Sequence, residues 1–218
     1  TLPIYLYHMK DNNQVLVQDI ERLNKTYLLP ESDSNRVRRI QAELSSLDTT
    51  IMEVTEDQAE PTQAYSVLEE QLEILQTNLK DIEDEQISVS ERLAQIEKDD
   101  INARQKANVY VNRLHTIKRY MEKRNLPGIP QSFLKLFFTA SHNTEDLMVE
   151  LEQAHVNIES VNRILEIATN DMEVLEAETY SIVQYATLTE QLLQYSNRYR
   201  SFDEGIQQAF NKSLEIFE

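Results

Sequence analysis

The stretch YSVLEEQLEILQTNLKDIEDEQISVSERLAQIEKDDINARQKANVYVNRLHTIKRYM, residues 65–121, decides the fold. It contains no glycine and no proline, and the same holds for everything between Pro61 and Pro127. Stepping alternately by three and four residues collects Tyr65, Leu68, Leu72, Leu75, Leu79, Ile82, Gln86, Val89, Leu93, Ile96, Asp100, Ala103, Ala107, Tyr110, Leu114, Ile117 and Met121. Only Gln86 and Asp100 interrupt the apolar stripe. A 3.5-residue period held this long specifies a helix whose seam is buried against other helices. At 1.5 Å per residue, roughly 60 residues extend about 90 Å, longer than a compact domain is wide. The expectation is a rod.

Composition agrees. The chain has 218 residues with 2 glycines, 5 prolines, no cysteine and no tryptophan, too few turn formers for a sheet protein. The fold class is therefore all-α. The missing cysteines remove disulfides and thiolate chemistry and suit a reducing compartment. A net charge of −17, from 21 basic and 38 acidic residues, opposes binding to nucleic acid and to anionic lipid. Arg36, Arg38 and Arg39 form one basic cluster; Lys118, Arg119, Lys123 and Arg124 form another, in the last turns of a helix where cations complement its dipole. No apolar run reaches the roughly 20 residues of a membrane span. Thr1 opens into a helical pattern, as in a piece of a longer protein.

The prolines divide the chain. A first helix is expected over 3–28, with Leu6, Met9, Leu16, Ile20, Leu23 and Tyr27 on one stripe, Asn13 within it, and Pro30 ending it. Ser32, Asp33 and Ser34 are N-cap candidates for a second helix carrying Val37, Ile40, Leu44, Leu47, Ile51 and Val54. Pro61 opens the long helix, within which the polar cluster around Asp99 and Asp100 is a candidate handover from one bundle to the next. Asn125 to Pro130 is a turn. Ser132 to Phe138 reads as a short apolar stretch packing across a bundle end. A helix from about Asn143 shows Leu147, Leu151, Ala154, Ile158, Val161, Leu165 and Ala168 on one stripe. Asn170 and Glu173 fit a capping box and place a turn at 169–171; Ser201 and Glu204 fit another, opening a last helix.

Second-helix starts near Ser34 and Asn143, and third-helix starts near Pro61 and Asp171, repeat the same order of elements. Three heptad helices, the third running into the first of the next unit, is the organisation of a spectrin-type repeat. The expected division is a repeat over 1–98, a second over 99–200 and the start of a further helix over 201–218. Spectrin and actinin repeats themselves usually carry a tryptophan in the first helix, which this chain lacks. Heptad seams close within or between chains, so self-association stays open.

Candidate chemistry is sparse. His8, His115, His142 and His155 share no metal-ligand spacing. Glu152-x-x-His155 matches the helical Glu-x-x-His of di-iron bundles, but that site needs a second such pair and none exists. No phosphate-cradling loop, zinc signature or calcium loop occurs. The expectation is no catalytic residue, no metal, no cofactor and no enzyme. More distinctive is the run from Leu192 to Ser201. At about 100° per residue, Leu188, Leu192, Tyr195, Tyr199 and Phe202 fall on one side, while Gln194, Asn197, Arg198 and Ser201 fall on the other. Amides and a guanidinium make directional hydrogen bonds with little like-charge repulsion. An ordinary polar face is the alternative.

Two motifs, KRYMEKRNLPGIP at 118–130 and QYSNRYR at 194–200, resemble EzrA, the septation ring formation regulator family of Gram-positive bacteria, and the likeness runs through the whole chain. The resemblance implies an upstream transmembrane anchor, a cytoplasmic array of spectrin-like repeats and regulation of the tubulin-like division protein FtsZ at midcell. It implies FtsZ and other division-ring proteins as partners, on the cytoplasmic side of the cell membrane at the septum. It also implies a partner-binding patch needed for midcell placement, carried here by Gln194, Asn197 and Arg198 with Tyr195, Tyr199 and Arg200 in the same stretch. Ser196 stands where a small residue such as alanine is expected. The competing class is a passive helical spacer with no partner site of its own.

Overall fold

The computed structural model describes residues 1–57, 65–124, 129–201 and 208. Five helices follow one another among these residues: α1 (Leu2–Asn24), α2 (Glu31–Asp57), α3 (Tyr65–Lys123), α4 (Gln131–Leu151) and α5 (Ile158–Ser201). Among the described residues, one isolated parallel bridge joins Tyr27 and Val156. The protein is all-α, as its turn-poor composition requires. α3 runs unbroken through residues 95–105. From Leu75 to Met121 every residue of its stripe is buried, Gln86 and Asp100 included. Tyr65, the first residue of the stripe, is exposed.

Contacts divide the chain into two compact units, each assembled from two stretches: Thr1–Ala107 with Asp146–Leu165, and Asn108–Glu145 with Glu166–Glu218. Within the first unit, Tyr5 bonds Glu83, Arg22 bonds Glu97 and Tyr27 bonds Asp100, so α1 and α3 run parallel. Asp33 meets Arg92 and Arg36 meets Glu85, so α2 runs against α3. The side chains that fill the space between them are Leu6, Met9, Leu16, Ile20 and Leu23 of α1, Val37, Ile40 and Leu44 of α2, and Leu79, Val89 and Leu93 of α3. Each buried aliphatic side chain contributes roughly 1.5–3 kcal/mol. Gln86 keeps its place in this seam because its amide donates to the Met9 carbonyl at 2.8 Å. Asn13, one turn after Met9, is buried as well.

Within the second unit, Tyr110 bonds Thr169, Arg113 bonds Glu176 and Arg124 bonds Glu190, so α3 and α5 run parallel. α4 packs in the same unit, and its Asn143 donates to Asp171 of α5. Leu114, Ile117, Met121, Phe133, Ala140, Ala168, Met172 and Leu175 are buried here.

Several helix boundaries differ from those read in the sequence. α1 stops at Asn24, and Tyr27 to Pro30 form a connection instead of a last helical turn. α2 begins at Glu31, before Ser32, Asp33 and Ser34, so none of these is its cap. Asp33 instead accepts from Arg92 inside the first turn, where its charge also suits the helix dipole. Ser132 to Phe138 are not a separate cross-piece: they open α4, with Phe133 buried and stacked on Phe137. Pro30 and Pro130 play one role, each standing immediately before a helix and accepting from an amide of its first turn.

The largest correction concerns the third turn. The chain is helical through 169–171, and the break falls at 152–157. Asn157, not Asn170, is the cap: its Oδ1 accepts from the Ser160 amide, and Glu159 follows in the first turn. Val156 is pulled into extended backbone by two hydrogen bonds, from its N–H to Thr26 and from the Leu28 N–H to its carbonyl, both 2.9 Å. Ala154, placed on the stripe by spacing alone, is exposed in the corner, while Val156 is buried. The three–four spacing survives across the corner by coincidence of loop length. The start of the long helix at Pro61 and the turn residues Asn125 to Gly128 lie outside the described residues, as do Phe202, Glu204 and the last helix.

Candidate functional site

The motif stretch Gln194 to Arg200 lies in α5, which remains helical to Ser201. The buried stripe of this helix, Leu165, Ala168, Met172 and Leu175, has its last described member at Ala186. Beyond that point every described side chain is exposed through Arg198. Gln194, Asn197 and Arg198 therefore face outward, as their angular positions predict. Leu188, Leu192 and Tyr195, on the apolar side, are also exposed, at 53%, 60% and 60%. Helical geometry brings Gln194, Asn197 and Arg198 into one arc, with Tyr195 on another face. The side chains of Tyr199 and Arg200 lie outside the described residues. Arginine and amides on one exposed face supply planar, directional donors, suited to carbonyls and carboxylates of a protein surface.

A second polar constellation escaped the sequence reading in its detail, although Asp100 marked its place. Asp100 sits in the α3 seam and accepts from the Tyr27 hydroxyl at 2.9 Å and from Arg104 Nε at 3.0 Å. Arg104 Nη2 reaches the Leu151 carbonyl, also at 3.0 Å, satisfying the free end of α4. Burial, with the Asp100 hydrogen bond next, pushes the Tyr27 hydroxyl up to about 12. Beside it, Asp99 accepts from Gln95 and from Asn162. A groove of about 470 Å³ runs past Leu28, Arg92, Ile96, Asp99 and Ile158. Of its ionisable groups, Arg92 is engaged by Asp33 and Asp99 by two amides, and Glu159 lies in the first turn of α5.

The remaining candidates disperse. Glu152 and His155 fall in the 152–157 corner, so the helical Glu-x-x-His geometry does not form. Among the described residues no three histidine, cysteine, aspartate or glutamate side chains group as a metal site. Arg36, Lys118 and Arg124 of the basic clusters are drawn into intramolecular contacts. Arg36 bonds Glu85 and Ser88; the Glu85 carboxyl is held below its ordinary range chiefly by that hydrogen bond. Lys118 pairs with Glu122, and Arg124 stacks on Tyr120 while bonding Glu190. No helix among the described residues is long and apolar enough to cross a membrane.

Long helices packed through heptad seams define a helical-bundle protein. Comparison with known proteins gives its family. The family described as the septation ring formation regulator EzrA matches over residues 1–218. Septation ring formation regulators EzrA of Streptococcus pneumoniae strains Hungary19A-6 and JJA are each 81% identical over all 218 residues. The chain spans 38% of the length of these curated relatives. No solved structure matches it. This chain belongs to the EzrA family of septation ring formation regulators. Its relatives carry the name of a regulator of cell division, not of an enzyme.

Proposed function

We propose that this chain is part of a cytoplasmic helical scaffold that binds or spaces division-ring components and modulates FtsZ ring assembly at midcell. In this reading it comprises two spectrin-like repeats, over 1–98 and 99–200, and the start of a further helix over 201–218. The single observation that carries the docking role is the exposed row Gln194, Asn197 and Arg198 on a stretch of α5, 187–198, whose described side chains are all exposed. Tyr195, Tyr199 and Arg200 complete the patch. An acidic chain needs a local cation to approach an acidic partner, and Arg198 and Arg200 supply it. Membrane attachment is assigned to an anchor upstream of these residues. Catalysis and nucleic-acid binding have no part in the reading: the charge opposes the second, and the polar groups described above serve helix packing.

The test is Asn197→Ala with Arg198→Ala in the full-length protein, followed by fluorescence imaging in cells and co-sedimentation with FtsZ polymers. Both side chains are solvent-facing, so the melting temperature stays within about 2 °C of the parent. Loss of midcell recruitment together with loss of co-sedimentation is the expected result. Retention of both assigns the chain to the passive spacer.

A further inference from the structure

Residues 146–165 pack with Thr1–Ala107, although the chain reaches them from the second unit and returns to it afterwards. The hold on this corner converges on one carboxylate of α3. Asp100 takes the Tyr27 hydroxyl on one oxygen and Arg104 on the other, and Arg104 carries the connection on to the Leu151 carbonyl at the end of α4. On the far side of the corner, Val156 exchanges two backbone hydrogen bonds with Thr26 and Leu28. Asn162, in the second turn of α5, donates to Asp99. Leu151, Val156, Ile158 and Val161 are all buried. The connection between α1 and α2 and the connection between α4 and α5 are thus fastened to each other and to the same turn of α3.

We propose that this constellation is a folding latch: the α4–α5 corner is a structural part of the first unit, and the latch makes the two units unfold together. Charge-assisted hydrogen bonds to a mostly buried carboxylate are stronger than surface pairs, because water does not compete for the same lone pairs. α4 and α5 enter and leave the first unit within unbroken helix, so detaching the corner frays both helices. Loss of the corner also returns the apolar side chains of four residues to water and takes from Arg104 Nη2, the Thr26 carbonyl and the Leu28 N–H the partners they have in it.

The chain has no tryptophan, so single reporters are available. Tyr5→Trp reports the first unit and Phe137→Trp the second, each in the whole chain unfolded by urea. With the latch intact, the two midpoints coincide. Arg104→Gln, a half-exposed position that tolerates the change, lowers the first-unit midpoint by about 0.5–1 M and the second by less than half as much. Val156→Ala, on the opposite flank of the corner, separates them in the same sense. Arg113→Gln, which breaks an exposed pair within the second unit, leaves them coincident. Midpoints that already differ in the parent overturn the proposal. So do midpoints that stay together in both Arg104→Gln and Val156→Ala.

Discussion

The α3 seam and the far end of α5 carry the same heptad pattern and meet opposite fates. Leu79, Val89 and Ala103 of α3 are wholly buried, and even Gln86 and Asp100 are drawn inside. Leu188, Leu192 and Tyr195 of α5, spaced in the same way, stand more than half exposed. Periodicity describes what a helix offers to a partner; burial requires the partner to be there. Where other helices supply one, an apolar seam absorbs even a carboxylate, provided that its oxygens are satisfied. Leu188 and Leu192, more than half exposed among the described residues, bury too little apolar surface to add much stability.

The largest effect expected from this contrast is in truncation to alanine. Leu79→Ala, at a site with 0% exposure, destabilises by about 2–5 kcal/mol, and Leu192→Ala by less than about 0.5 kcal/mol. Urea unfolding of the two variants measures the difference directly, and equal losses would break the comparison.

A smaller effect separates the two polar members of the α3 seam. Asp100→Ala removes an acceptor of two hydrogen bonds and costs about 1.5–3 kcal/mol. Gln86→Leu surrenders one bond to an already helical carbonyl, restores the apolar seam and changes stability by less than about 1 kcal/mol. If both cost the same, Asp100 has no special place.

Alkaline pH gives a finer probe. Tyr27 rises from 10.0 to about 12 in the folded protein, so its contribution is complete below pH 10 and disappears as pH climbs through about 12. A fraction of the tyrosinate absorbance therefore appears late in a spectrophotometric titration, and Tyr27→Phe abolishes that late step. At acid pH the Arg36–Glu85 pair gives the smallest effect. The Glu85 carboxyl is depressed, so its contribution is present above its ordinary value of 4.5 and fades as pH falls below it. Because the pair is part-exposed, Arg36→Met reduces the acid slope of stability only slightly. An unchanged slope would leave the pair without a role in acid sensitivity.

Much of the candidate site was legible in the sequence, because helical angles alone place Gln194, Asn197 and Arg198 on one face. Exposure of the apolar side of the same helix was not, since it depends on which neighbours are present. The turn between α4 and α5 was misread for a related reason. Asn170 with Glu173 and Asn157 with Glu159 both resemble helix starts, and the apolar spacing from Leu151 to Ile158 runs on as though no corner intervened. What selects Asn157 is a contact more than a hundred residues away in the chain, where Thr26 and Leu28 hold the Val156 backbone in extended form.

By itself the sequence determined the helical class and the unbroken run of α3, because those follow from local propensity and from a period that one helix must satisfy. The tertiary structure alone decided where the third turn falls, which polar residues are held inside, and that the α4–α5 corner belongs with the first unit. Those outcomes rest on hydrogen bonds between residues far apart in the chain, and no local pattern encodes a partner at such a distance.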